Sequence, residues 1–343
     1  MKHAFSKSVI LSLGLSPLFA IAEFKNASYS YFTIGSERTT YSESLSSFAG
    51  SSFESDFSGS GLTQRSGGYT SIGEDSSFGF IIATQSTLLS DGDNESWDAN
   101  WDSDNNGIND GPLTVMTDTV NLNQANLDLL GVYHFKNGLF LSAGMHYQKI
   151  SFSRYDFKST DDTPSFSDFT LANSSAFQNI LQEITDNGSY TYSNGTEVTT
   201  AEQAAEQSRF NPEAQTPVVS EDITAFNLVA GIGYDSFFLM KGEGFRYKFN
   251  INLGTPAYLH LINTNLEGAD RSLSESFPGG VDLNANGAIG YQFNEKISVL
   301  ASLSLAYVDR DSISITNNIG QKISLPNNTF TSITPELAVY WAF

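Results

Sequence analysis

The sequence predicts a transmembrane, antiparallel, up-and-down β-barrel of about ten strands, all-β except for short helices in its long outer loops. Three observations carry that expectation: no apolar run is long enough for a membrane helix, apolar and polar residues alternate in many stretches, and the connections between them are short at one end and long at the other. A backbone crossing a bilayer must satisfy its polar groups internally, so a chain without spanning helices has to close its strands on themselves.

The first residues carry Lys2, His3 and Lys7, then the apolar run Val9 to Ala20, then Ala20-Ile21-Ala22 before Glu23. A basic region, a short apolar region and a small-x-small site make a secretory signal peptide, cut after Ala22. Residues 1–22 are thus expected to be the leader and 23–343 the barrel domain. The apolar run is shorter than the roughly 20 residues of a spanning helix.

The net charge of -21 argues against nucleic-acid partners, which need a basic footprint. With no cysteine, disulfides, thiolate metal sites and a Cys nucleophile are excluded. A mean hydropathy of -0.20 fits a soluble protein and a barrel equally, because a barrel turns every second strand residue to a polar lumen. The alternation has to decide.

Strand one runs from Ala27 to about Thr39, with Tyr29, Tyr31 and Thr33 on one face and Phe32 and Ile34 on the other. A first outer loop is expected at about 41–60. Strand two, about Gly61 to Ile72, is poorly patterned, because Arg65 and Gly67-Gly68 interrupt the alternation. Gly73-Glu-Asp75 reads as a tight turn. Strand three, Ser77 to Leu89, shows Phe78, Phe80 and Ile82 outward, and an acidic loop follows at 90–124. Strand four, Ala125 to Phe135, and strand five, Leu139 to about Tyr155, flank the hairpin signal Lys136-Asn-Gly138.

The longest loop, 158–222, has structure of its own. Ser175-x-x-Gln178 caps a short amphipathic helix stopped at Gly188, Tyr190 to Val198 forms a small hairpin around Asn194-Gly195, and Thr200 caps a second helix ending near Arg209. Strand six is Ile223 to Tyr234. Strand seven starts at Phe245 and bends at Gly254-Thr-Pro256. Strands eight, around Asp282 to Phe293, and nine, Ile297 to Tyr307, meet at Asn294-Glu-Lys296, with outer loops at 264–280 and 312–328. That makes ten strands; eight or twelve follow if the first two are misread or the Tyr190 hairpin joins the wall. Tyr133, Phe135, Tyr234, Tyr291, Phe293, Trp341 and Phe343 collect at the short-turn ends as an interfacial girdle.

The chain closes on Thr334-Pro-Glu-Leu-Ala-Val-Tyr-Trp-Ala-Phe343. Leu337, Val339, Trp341 and Phe343 share one face, and Glu336, Ala338 and Ala342 the other. In water such a strand would be an aggregation hazard. It resembles the C-terminal closing strand of Gram-negative outer-membrane β-barrels. That resemblance implies an outer-membrane location, recognition of the terminal Phe and alternate apolar residues by the barrel assembly machinery, and contact with outer-membrane lipid and lipopolysaccharide.

Ten strands leave a lumen nearly filled by side chains. Inward residues Asp128, His146, Arg246, Lys248, Asp282 and Glu336 are expected to pair in a polar network that fills it; the alternative is a narrow path for small polar or ionic solutes, with Arg246 and Lys248 selecting among them. In the 90–124 loop, Asp102-Ser-Asp104-Asn-Asn106-Gly107-Ile108-Asn-Asp110 matches the first part of an EF-hand calcium loop. Oxygens alternate at Asp102, Asp104 and Asn106, the Ile108 carbonyl and Asp110 follow, and Leu113 replaces the closing Glu. Asp93, Glu95 or Asp98 are candidates for the missing oxygens; the alternative is an acidic turn that holds no ion.

No catalytic constellation is legible. Of four histidines, only His260 falls at the outer rim where a hydrolytic site would form, and no Asp-x-His or Ser motif accompanies it. The expected function is therefore non-enzymatic: a structural, adhesion or recognition barrel that acts through acidic, calcium-stabilised outer loops on an unidentified extracellular ligand. A narrow channel and an outer-membrane hydrolase are the alternatives.

Overall fold

The computed structural model describes residues 27–48, 51–72, 77–101, 111–212, 218–263, 272–316 and 322–343. In chain order these form β1 (Tyr29–Phe48), β2 (Ser51–Ser71), β3 (Phe78–Ser90), β4 (Asp93–Asn100), β5 (Leu113–His134) and β6 (Leu139–Ser159). The helices α1 (Thr163–Asn173) and α2 (Ser175–Asn187) follow, then β7 (Tyr190–Thr191), β8 (Glu197–Val198) and α3 (Ala201–Ser208). β9 (Val218–Asp235), a 3-10 turn (Ser236–Leu239), β10 (Gly244–Asn263) and β11 (Ser272–Ser276) lead to β12 (Gly280–Gln292), β13 (Ile297–Arg310), β14 (Ile313–Thr316), β15 (Lys322–Leu325) and β16 (Asn327–Ala342).

Ten of the described strands close into a ring: β1, β16, β13, β12, β10, β9, β6, β5, β3 and β2, with β2 returning to β1. Every junction between them is antiparallel, and the closing strand pairs β1 from Tyr29↔Ala342 to Ser44↔Asn327. No edge is left at the seam, which is how a barrel avoids the unpaired backbone of an open sheet. Among the described residues no helix is long and apolar enough to cross a membrane.

The outward faces carry an apolar belt. Leu141 and Met145 on β6, Phe226, Leu228 and Ile232 on β9, and Leu337, Val339 and Trp341 on β16 are all exposed. The girdle aromatics touch across neighbouring strands at its turn end, with Phe78–Tyr133 at 5.0 Å, Tyr234–Tyr247 at 5.3 Å and Phe245–Tyr291 at 5.8 Å between ring centres. On β6 the belt runs from Leu139 to Tyr147, close to the 9–11 residues a tilted strand needs to cross a bilayer.

The wall continues far beyond it. β5, 22 residues long, reaches roughly 70 Å at about 3.3 Å per residue, against an apolar band about 25 Å tall. The expected loops at 41–60 and 90–124 are therefore largely wall. β1 and β2 pair up to Phe48↔Ser51, and β4 takes over from β3 against β2, with Phe57↔Glu95 to Ser52↔Asn100, before β5 descends beside it. Above the membrane the alternation changes sign. On β6, Leu141 and Met145 face out, whereas Ile150 and Phe152 are buried inside and Ser151 and Ser153 face out. A reading keyed to apolar-out residues stops at that inversion, which is why the upper wall looked like loop.

The connection from β6 to β9 forms a lid. α2 is capped by Ser174, whose Oγ accepts from the Phe177 N–H at 3.2 Å, one residue before the expected cap, and stops at Gly188 with φ +84°. β7 and β8 are the expected hairpin, and Thr200 caps α3 by accepting from Gln203 N–H. α1 was not anticipated. β10 bulges between Pro256 and Tyr258. The leader, the Gly73-Asp75 turn and Asp102 to Asp110 lie outside the described residues.

Candidate functional site

The lumen is filled in layers. At the turn end, the segment after β9 folds back so that Phe237 and Phe238 enter the mouth, where both are fully buried. Arg246 donates to Asp235 through Nε at 3.2 Å and Nη2 at 2.9 Å, and to Ser298 Oγ at 2.9 Å. Its guanidinium lies 4.4 Å from the Tyr340 ring centre, 4.7 Å from Phe237 and 4.9 Å from Tyr29. Tyr69 and Phe140 lie over Gly79 and Gly233, where an added Cβ would run into their rings. His134 completes the layer 4.2 Å from Phe238.

Above this plug lies a polar chamber in two adjoining cavities, whose walls share Arg65, Asp128, Asn250, Asn252 and Asn286. His146 Nδ1 and Asp128 Oδ1 are 2.6 Å apart, and His146 Nε2 lies 3.8 Å from Asp282, which also accepts from Asn227 and Asn284. Arg65 donates to Gln85 at 2.6 Å and Ser304 at 2.9 Å and lies 3.9 Å from Glu336, which accepts from Ser302 and Ser304. Lys248 donates to the Tyr29 hydroxyl at 3.2 Å.

The six expected lumen residues all turn inward but do not form one network. Asp128, His146 and Asp282 are one group, Glu336 joins Arg65, Arg246 belongs to the plug, and Lys248 lines the chamber just above it while donating to Tyr29. Arg246 is held against Asp235 beneath three rings, so it does not line a solute path as a selectivity residue. Sequence reading missed Arg65 and Asp235, Arg65 because it interrupts a weak strand.

Over the chamber sits an apolar layer that includes Tyr41, Phe57, Ile150, Phe152 and Phe330, all buried, with Tyr41 and Phe152 at 4.5 Å. Above it, and above the belt, Arg154 donates to Glu95 at 2.6 Å and 3.0 Å and to Glu43 at 3.3 Å, with Asp118 and Glu221 buried nearby. Glu95 also accepts from Ser55. Burial, reinforced by neighbouring carboxylates and only partly offset by Arg154, holds Glu43 and Asp118 above the ordinary carboxylate range. Glu95, with both oxygens accepting from Arg154, is thus committed inside the wall, and Asp98 accepts from Thr114 Oγ1 at 2.7 Å through one oxygen. The five calcium-pattern residues lie outside the described residues.

The outer mouth is stoppered by α1. Phe166 is fully buried between Phe53 at 5.9 Å and Trp101 at 5.3 Å, and Thr163 Oγ1 donates to the Val115 carbonyl at 2.6 Å. His260 lies above the β10 bulge, its ring parallel to Tyr258.

A closed ring with an apolar belt, an aromatic girdle and a polar, filled interior has one solvent on its outside: lipid. The chain is a transmembrane β-barrel. Leu337, Val339, Trp341 and Phe343 all lie exposed on its lipid face.

No protein-family model and no curated protein matches the sequence. Among solved structures it is similar to the translocator domain of the autotransporter NalP from Neisseria meningitidis, at 9% identity and TM-score 0.30 over 92% of this chain and 89% of that one. The transport unit of the autotransporter AIDA-I from Escherichia coli gives 9% and 0.32 over 97% and 94%, and a FadL homologue from Pseudomonas aeruginosa 9% and 0.28 over 92% and 90%. At these values no residue role, ligand or activity passes to this barrel.

Proposed function

We propose that the barrel is a rigid surface anchor whose long upper wall and helical lid present a contact surface outside the cell, with no catalytic role. The observation that carries this reading is the double stopper: the Arg246 plug at one mouth and Phe166 at the other, with an apolar layer between chamber and lid. A filled lumen serves rigidity, and recognition surfaces sit on segments held by rigid scaffolds. The partners are an extracellular ligand, outer-membrane lipid and lipopolysaccharide, and the assembly machinery, which would read the exposed Leu337, Val339, Trp341 and Phe343. In this reading Asp102, Asp104, Asn106, Ile108 and Asp110 hold calcium at weak affinity and screen the acidic rim from anionic lipopolysaccharide.

The polar chamber favours a second reading, a gated path for small polar solutes. Planar-bilayer conductance of the purified chain separates the two: the anchor gives none, and steady single-channel currents would replace it with the channel. Calcium titration, followed by protease sensitivity of the outer segments in wild type and in Asp102→Ala and Asp104→Ala, tests the metal. Protection in the wild type alone is expected; no protection in any of them retires calcium.

A further inference from the structure

Within the membrane belt, β2 and the upper half of the facing β3 break the rule the other strands keep. β10 turns Phe245, Tyr247, Phe249, Ile251 and Leu253 to the lipid, and β13 turns Ile297, Leu303 and Leu305. Between Leu62 and Ile72, the outward positions of β2 are Gln64, Ser66, Gly68 and Thr70. Register sets Ser66 opposite Thr84 and Gln64 opposite Ser86 on β3, so the four form a tile on the outside of the wall. Across β1 the same positions face Phe32 and Ile34, and across β5 they face Leu127 and Ala125. The exposed Leu62 and Leu89 lie above the tile and Phe80 and Ile82 below it. It is a polar island at bilayer depth.

Within the sheet, Gln64 Nε2 donates to Ser86 Oγ at 3.3 Å, Ser66 and Thr84 hydroxyls meet at 3.0 Å, and Thr84 Oγ1 donates to the Ser66 carbonyl at 3.3 Å. A primary amide has two donors and a two-lone-pair acceptor, and among the described residues only one donor of Gln64 is used. In hydrocarbon no water can supply the rest, so a lone barrel carries that cost on its lipid face.

We propose that this β2–β3 face is the interface with a second copy of the chain, forming a two-fold dimer in the membrane through Gln64, Ser66, Thr84 and Ser86. Every group in the tile is neutral, and each both donates and accepts. The tile is therefore complementary to itself, which is what a two-fold axis demands, and nothing in it selects a partner of opposite charge. A second copy also brings its own tile to the same depth. Ser66 and Gly68 are small, so two walls can approach closely, as small residues permit between membrane helices.

The chain has no cysteine, so introduced thiols are unique. The full-length protein with Ser66→Cys or Thr84→Cys, in lipid vesicles at low protein-to-lipid ratio, is treated with a short bis-maleimide. Covalent dimers from these two variants, and none from Ala301→Cys on the far wall, are the expected result. Gln64→Leu should weaken dimerisation of the otherwise unmodified chain about tenfold in vesicles, with folding followed independently by heat-modifiable gel mobility. Monomers only, equal cross-linking from Ala301→Cys, or cross-linking in cells to a different membrane protein instead of a second copy would each overturn the dimer. Should Gln64→Leu not fold, the thiol variants decide alone.

Discussion

Asp235 and Arg246 form a two-pronged ion pair, Oδ1 to Nε at 3.2 Å and Oδ2 to Nη2 at 2.9 Å, in which each side chain is 1% exposed. Asp235 ends β9 and also accepts the Phe237 N–H at 2.9 Å, so one carboxylate fixes both the guanidinium and the turn that carries the plug rings. Removing it leaves a cation enclosed by Tyr29, Phe237 and Tyr340. Asp235→Ala is therefore expected to cost about 3–5 kcal/mol, read from urea unfolding in lipid vesicles. A loss below about 1 kcal/mol would mean that ring packing alone holds the plug.

Much of this architecture was legible because lipid enforces a rule on each strand separately. Apolar-out alternation marked β3, β6, β10, β13 and β16 within the belt, and Pro256 marked the bulge. Above the membrane water relaxes the rule, and the apolar set moves to the inward face. On β5, Leu127 and Leu129 turn to the lipid while Val120 and Leu122 are buried in the lumen. That one-residue change of phase is itself a sequence signal for the membrane surface, and it would have recovered the upper wall. The interior pairings had no such signal. Arg154 reaches Glu43 and Glu95 from other strands, so only ring closure brings them together.

That upper cluster gives the outer wall a pH dependence. Glu43 and Asp118 lie above the belt, and burial raises both above their ordinary values of 4.5 and 3.8. The folded wall then keeps protons that the unfolded chain gives up. Their stabilisation is fully present below the ordinary carboxylate range and is lost as pH rises through neutrality. Thermal unfolding in detergent should occur at a higher temperature at pH 5 than at pH 8, and Glu43→Gln with Asp118→Asn should flatten the difference. A wild-type midpoint that rises with pH would show that the cluster does not govern it.

Phe166 is the side chain through which α1 enters the outer mouth, with Phe53, Trp101 and Phe210 around it. Phe169 and Phe210 pack only partly buried against the same wall cluster, Phe169 with Trp101 at 6.2 Å, whereas Leu171, Phe177, Val198 and Ala204 join α1, α2, β8 and α3 to one another. Phe166→Ala should therefore detach the lid without unfolding the barrel. Truncating a buried Phe costs about 3–5 kcal/mol, and where local opening precedes cleavage that means roughly 100-fold faster proteolysis, or more, within 163–212. The barrel's own unfolding midpoint should stay within a few degrees of wild type. Unchanged proteolysis would locate the lid's hold on the wall elsewhere, at Thr160 and Thr163, whose hydroxyls donate to the Thr114 and Val115 carbonyls of β5.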